Sequence, residues 1–184
     1  MNRTVRALLV LLVLAALVSG CAVEHSPPAL HDLGVPLAVA VNPNSPPKPL
    51  IRVQAPPWYL DSIMRYRLLY HSPTTVRAYQ LDSWIAPPAD LLQHYLQAAG
   101  LQLTRPLTIR LVDFEQQFLS PGHAQVVLRF IAEYGDVQTP ASVSREFDLT
   151  QTSQTADAAG AADAFAKIAK QAAERLKQWL ARPF

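Results

Sequence analysis

Between Ala7 and Val18 the chain carries twelve consecutive apolar residues without a charge, and this run limits what the remainder can fold into. A helix that crosses a hydrocarbon core of roughly 30 Å needs about twenty such residues. The run is too short to span and has the length of a signal-peptide core. Arg3 and Arg6 precede it, and the small residues Ser19 and Gly20 lead directly into Cys21, the single cysteine of the chain. The first twenty residues are therefore expected to be removed rather than folded.

The order of cationic start, apolar core, Val18-Ser19-Gly20 and Cys21 resembles the lipobox of bacterial lipoproteins. That resemblance implies a diacylglycerol on the Cys21 thiol, cleavage before Cys21 and an acyl group on the new amino terminus. No other cofactor and no metal are expected. With Cys21 acylated no thiol is left for a disulfide, a thiolate metal site or a nucleophile. The formal net charge of +2 falls to near zero once Arg3 and Arg6 leave. A nucleic-acid partner would need a dense basic face, so this class is set aside.

From Ala22 to Pro49 seven prolines (27, 28, 36, 43, 46, 47 and 49) forbid a continuous helix. Residues 21–49 are expected to form a lipidated, proline-rich tether. Within it Leu37–Val41 is an apolar island that suits a first edge strand. The folded body is placed at 50–184 as one domain. Leu50–Val53 alternates as a short strand. Ile63–Tyr70 puts Met64, Tyr66, Leu68 and Tyr70 on one face and Arg65 and Arg67 on the other. Pro87–Ala99 reads as a helix with Leu91, Leu92, Tyr95, Leu96 and Ala99 in one stripe and Gly100 as its stop.

Three further alternating segments begin at Leu107, Ala124 and Val143, separated by turns at Pro121-Gly122 and Gly135-Asp136. A last amphipathic stretch, 155–181, presents an alanine-rich stripe and an outer face of Lys167, Lys170, Glu174 and Lys177. The expected architecture is a two-layer α/β (α+β) sandwich. Its mixed, mostly antiparallel sheet has five or six strands, with two helices packed on one face.

Motifs that carry chemistry are missing from the sequence: no G-x-S-x-G, H-E-x-x-H, phosphate loop or G-x-G-x-x-G occurs. His25 and His31 fall in the tether, His71 and His123 at turns, and His94 on the outer side of the first helix. Asp113 and Glu115 form a close carboxylate pair read as the end of a strand. An enzyme is therefore not expected. The aromatic residues are more informative, since Trp58, Tyr59, Tyr66, Tyr70, Tyr79 and Trp84 crowd into one stretch. Trp58-Tyr59 and Trp84, beside Pro56-Pro57 and Pro87-Pro88, are candidates for a contact patch for a partner or for lipid. The plainer reading is that they plug the sheet edge.

Trp58-Tyr59-Leu60-Asp61, then Met64-Arg65-Tyr66-Arg67, then Tyr79 through Trp84-Ile85-Ala86-Pro87-Pro88 with Leu91, Leu92 and Leu96, resembles the ABC-type transport auxiliary lipoproteins. Leu107-x-Ile109-x-Leu111-x-x-Phe114 and the alanine-rich final helix extend the resemblance to about residues 50–180. It implies a domain on the periplasmic face of the outer membrane, and Ala22 in place of aspartate after Cys21 agrees with that sorting. Its partners would be an ABC permease, an ATPase and a mammalian-cell-entry (MCE) domain protein that carries phospholipid or other apolar molecules. Self-association stays open. The competing readings are a lipid-anchored module that encloses a small apolar ligand, and an envelope-assembly lipoprotein.

Overall fold

The computed structural model describes residues 28–34, 51–135 and 142–182. Cys21, the signal segment and the Leu37–Val41 island lie outside the described residues. Chain order is β1 (Ala29–His31), β2 (Ile51–Gln54), a single 3-10 turn (Pro57–Tyr59), β3 (Ile63–Leu68), β4 (Ser72–Trp84) and α1 (Pro88–Ala98). Then follow β5 (Leu107–Ser120), β6 (His123–Tyr134), β7 (Val143–Thr152) and α2 (Ala158–Leu180). Among the described residues, all seven strands join one mixed sheet in the order β1-β4-β3-β5-β6-β7, with β2 added alongside the start of β5.

The alternation in the sequence sets the two faces of this sheet. On β5 and β6, Leu107, Ile109, Leu111, Val126, Leu128, Phe130 and Ala132 are all buried on the helix side. A register shift between Leu111 and Asp113 moves the pattern by one, so that Phe114 rather than Asp113 turns inward. α2 packs across β6 and β7. Phe165 stacks on Phe114 with ring centroids 4.0 Å apart and meets Trp84 edge-on at 5.4 Å. Alanines at 161, 164, 169, 172 and 173 are buried along the same helix, whose short side chains let it lie close on the sheet. α1 packs on β2 through Leu92 and Leu96, while Gln93 Oε1 accepts a hydrogen bond from the Val53 amide at 2.9 Å. Gly100, at φ 71°, ends α1 in the left-handed conformation.

Opposite the helices the sheet face is charged and paired. Arg67 holds Glu115, Arg110 holds Glu133, and Arg129 lies between Asp113 at 2.5 Å and Asp148 at 3.3 Å. The α/β sandwich expected from the sequence is thus present, with seven strands rather than five or six.

Three segments differ from expectation. Ala29–His31 is not tether: it pairs in parallel with Asp82–Trp84, and Leu33 is only 3 % exposed. A three-residue strand is too short to show a period, and its pairing is non-local. The strand predicted for Ile63–Tyr70 stops at Leu68, leaving Tyr70 on the surface. Ser72–Trp84, read as a turn followed by unassigned chain, is a 13-residue strand. Its side chains from Pro73 to Arg77 are exposed, so no apolar alternation marked it.

Candidate functional site

Pro56 and Pro57 cannot continue β2, and the chain instead folds into the short turn Pro57–Tyr59. The turn separates its neighbours sharply: Trp58 is 62 % and Leu60 64 % exposed, while Tyr59 between them is 4 % exposed. Tyr59 is drawn inward by a gap in the sheet. On one edge of β5, β2 ends opposite Arg110 and β3 begins opposite Gln116. The Phe114 amide falls in this interval and donates to the Tyr59 hydroxyl at 3.1 Å. Burial pushes the Tyr59 phenol above its ordinary range. Arg65, doubly bonded to Asp61 at 2.7 and 2.8 Å, stands 5.6 Å over the Tyr59 ring and closes the corner.

Of the four predicted contact residues, Trp58 therefore lies on the surface and Pro87 is half-buried at the start of α1. Tyr59 and Trp84 do not belong to a contact patch. Trp84 is 2 % exposed, because the last residues of β4 turn it onto Phe114 and Phe165. The sheet-plugging reading applies to these two.

The remaining aromatics form a second feature. Tyr66 lies 4.8 Å from Tyr79 and 5.5 Å from Phe118, ring centre to ring centre. With Leu68, Tyr70 and Pro121 they line an open surface groove of about 460 Å³. Its inner wall is polar and includes Asp157, whose carboxyl is held below its ordinary range by the Gly160 amide and the Thr155 hydroxyl. The Tyr79 hydroxyl donates to Gln116 Oε1 at 2.6 Å, and the Gln116 amide donates at 3.2 Å to Ser153 Oγ and to the Asp157 carbonyl. Burial raises Tyr79 well above the usual phenol range, so it stays a neutral donor. With the Tyr79 proton held by Gln116, the groove offers a ligand mainly its aromatic and apolar walls.

Sequence reasoning missed Gln116, which is fully buried, and read Glu115 as marking a strand end, although it is 3 % exposed. Glu115 accepts both contacts of the Arg67 Nε, at 2.8 and 2.9 Å, and one from Gln117. The carboxylate pair is thus in mid-strand and structural. The signal that could have found Gln116 was its place between Phe114 and Phe118 on the same face of β5.

His31, expected in a mobile tether, is held in β1 with Nε2 2.8 Å from Asp82 Oδ1. His71, His94 and His123 are exposed. Among the described residues no group of three His, Cys, Asp or Glu side chains is arranged to hold a metal ion, and no helix is long and apolar enough to cross a membrane.

Solved structures share this fold, among them the following two. One is the crystal structure of protein XCC0632 from Xanthomonas campestris, of family DUF330, at TM-score 0.61 and 18 % identity, covering 84 % of this chain and 92 % of that one. The other is the crystal structure of an uncharacterized protein, at TM-score 0.62 and 11 % identity, covering 85 % and 100 %. At these identities the likeness is one of fold. No family model matches the sequence, and no curated protein does.

Proposed function

We propose that the chain is a lipid-anchored auxiliary subunit of an ABC/MCE-type transport system, held by Cys21 at the periplasmic face of the outer membrane. The system would move phospholipid or other apolar molecules between the two membranes, and this subunit would act by docking rather than by catalysis. The observation that carries the reading is the sequence order Arg3, Arg6, apolar 7–18, Ser19-Gly20-Cys21, ahead of a single mixed sheet with two helices. The Pro57–Tyr59 turn supports a contact role, with a partner or with lipid, since it holds Trp58 and Leu60 outward on a corner fixed by Tyr59. Exposed tryptophan on a rigid support is costly to leave in water and effective in an interface. Affinity isolation of the intact protein from solubilised envelopes tests this. Co-elution of an MCE-domain protein with permease and ATPase subunits is expected, and recovery of none of them overturns the proposal.

The groove beside Tyr66 and Tyr79 favours a second reading, in which the anchored domain binds a small apolar ligand. Native mass spectrometry of the purified protein distinguishes it: a co-purified lipid displaced by Tyr66→Ala supports this reading, and a ligand-free mass opposes it.

A further inference from the structure

Among the described residues ten large apolar side chains are left in water, and six of them (Leu30, Trp58, Leu60, Ile63, Leu81 and Ile85) lie at one end of the sheet, against Tyr70, Val76 and Leu119 at the other. Leu30 on β1 and Ile63 on β3 are both in register with Ser83 on β4, so the three form one row across three strands. Leu81 lies in the irregular stretch of β4 just before this row, and Ile85 follows the strand's end, where its amide donates to the His31 carbonyl. Leu30 is 64 %, Ile63 41 %, Leu81 54 % and Ile85 62 % exposed. Trp58 and Leu60 stand on the turn that leads into Ile63. Ser83, at the centre, is too small to fill the row, and beside it Leu30 and Ile85 line an open pocket with Asp32 and Asp163 at its rim.

The position of the chain's start identifies what covers it. Ala29 pairs with Asp82, so the chain enters at this same end. From Cys21 to Pro28 is seven residues, about 25 Å at full stretch. From Ser83 to Ser72, at the other end of β4, the strand runs about 35 Å. A domain standing on that far end would hold Pro28 higher than seven residues can reach. We infer that the apolar end formed by Leu30, Ile63, Leu81, Ile85 and Trp58 seats on the bilayer that carries the Cys21 lipid. This rests on the anchor reading above. Tryptophan at the rim suits the polar–apolar boundary of a membrane.

The test uses the full acylated protein in vesicles of phosphatidylethanolamine and phosphatidylglycerol with brominated acyl chains. Cys21 is blocked by its lipid, so Ile85→Cys and Leu119→Cys each supply one thiol for an environment-sensitive fluorophore. Seating predicts that the label at 85 loses most of its emission to the bromines and the label at 119 loses none. Intrinsic emission gives a second measurement without a label: Trp84 and Trp179 are buried, so bromine quenching of the unmodified chain should vanish in Trp58→Phe. Equal, unquenched emission at 85 and 119 on protein whose N-terminal peptide carries the acyl mass overturns the seating alone. Absence of the acyl mass overturns the anchor reading, and the seating with it. Concentration-dependent self-quenching at 85 without vesicles would mean that a second copy covers the patch, and also overturns it.

Discussion

The Tyr59 hydroxyl accepts a hydrogen bond from the Phe114 amide at 3.1 Å, bridging the place where one edge of β5 has no strand beside it. β2 covers this edge up to Arg110 and β3 from Gln116 onward. A buried amide in the interval would lose its partner to water only at a cost, so one side chain replaces a strand. The same contact orients the turn that exposes Trp58.

Tyr59→Phe should therefore leave the Phe114 amide unpaired while preserving the ring. The expected loss is about 1–3 kcal/mol of stability. Urea denaturation measures it, and an unchanged midpoint would show that the bond contributes nothing. Trp58→Ala, on an exposed side chain, should change stability by less than about 0.5 kcal/mol.

Glu115 is nearly inaccessible and depends on Arg67. Arg67→Leu strands a buried carboxylate and should cost about 3–5 kcal/mol. Glu115→Gln in the same background should recover much of that loss. A double-mutant cycle in which the two changes simply add would refute the coupling.

Gly160 sits in the first turn of α2, where an alanine would ordinarily stabilise the helix by about 1 kcal/mol. Here the sign should reverse. The capping loop, in which Asp157 Oδ1 accepts from the Gly160 amide at 2.7 Å and from Thr155 Oγ1 at 2.8 Å, folds tightly over the Cα. A Cβ would collide with the Thr155 carbonyl, which is backbone and cannot swing away. Gly160→Ala should lower the melting temperature, and a higher one would contradict the geometry.

Alkaline pH should unfold the domain through its buried phenols. Burial raises both Tyr59 and Tyr79 in the folded state, so their contribution is intact below the unfolded value of about 10. Above it the unfolded chain ionises first and holds fewer protons, and stability falls as pH rises towards the higher folded values. Denaturant midpoints followed upward from about pH 9 should drop less steeply in Tyr79→Phe than in the parent chain. Parallel curves would remove Tyr79 from the account.

Much of this architecture was legible locally. The alternation from Leu107 and from Ala124 and the stripes Leu92–Leu96 and Phe165–Trp179 are near-neighbour patterns, and each became the element expected of it. The pairings of β4 with β1 and with β3 were not so readable, because β4 is an exposed strand without apolar alternation. Trp84 shows the difficulty most clearly. Its proline neighbours suggest a surface corner, yet its direction is set by Phe114 and Phe165, 30 and 81 positions away.

By itself the sequence determined the composition of the body, its two helices, its alternating strands and the lipobox-like order ending in Cys21, since each depends on residues a few positions apart. Only tertiary structure decided that Ala29–His31 joins the sheet, that Tyr59 fills a gap beside β5 while Trp58 stays outside, and that Glu115 is buried with Arg67. Those outcomes depend on which distant segment arrives as a neighbour, and burial is a property of the neighbour as much as of the residue.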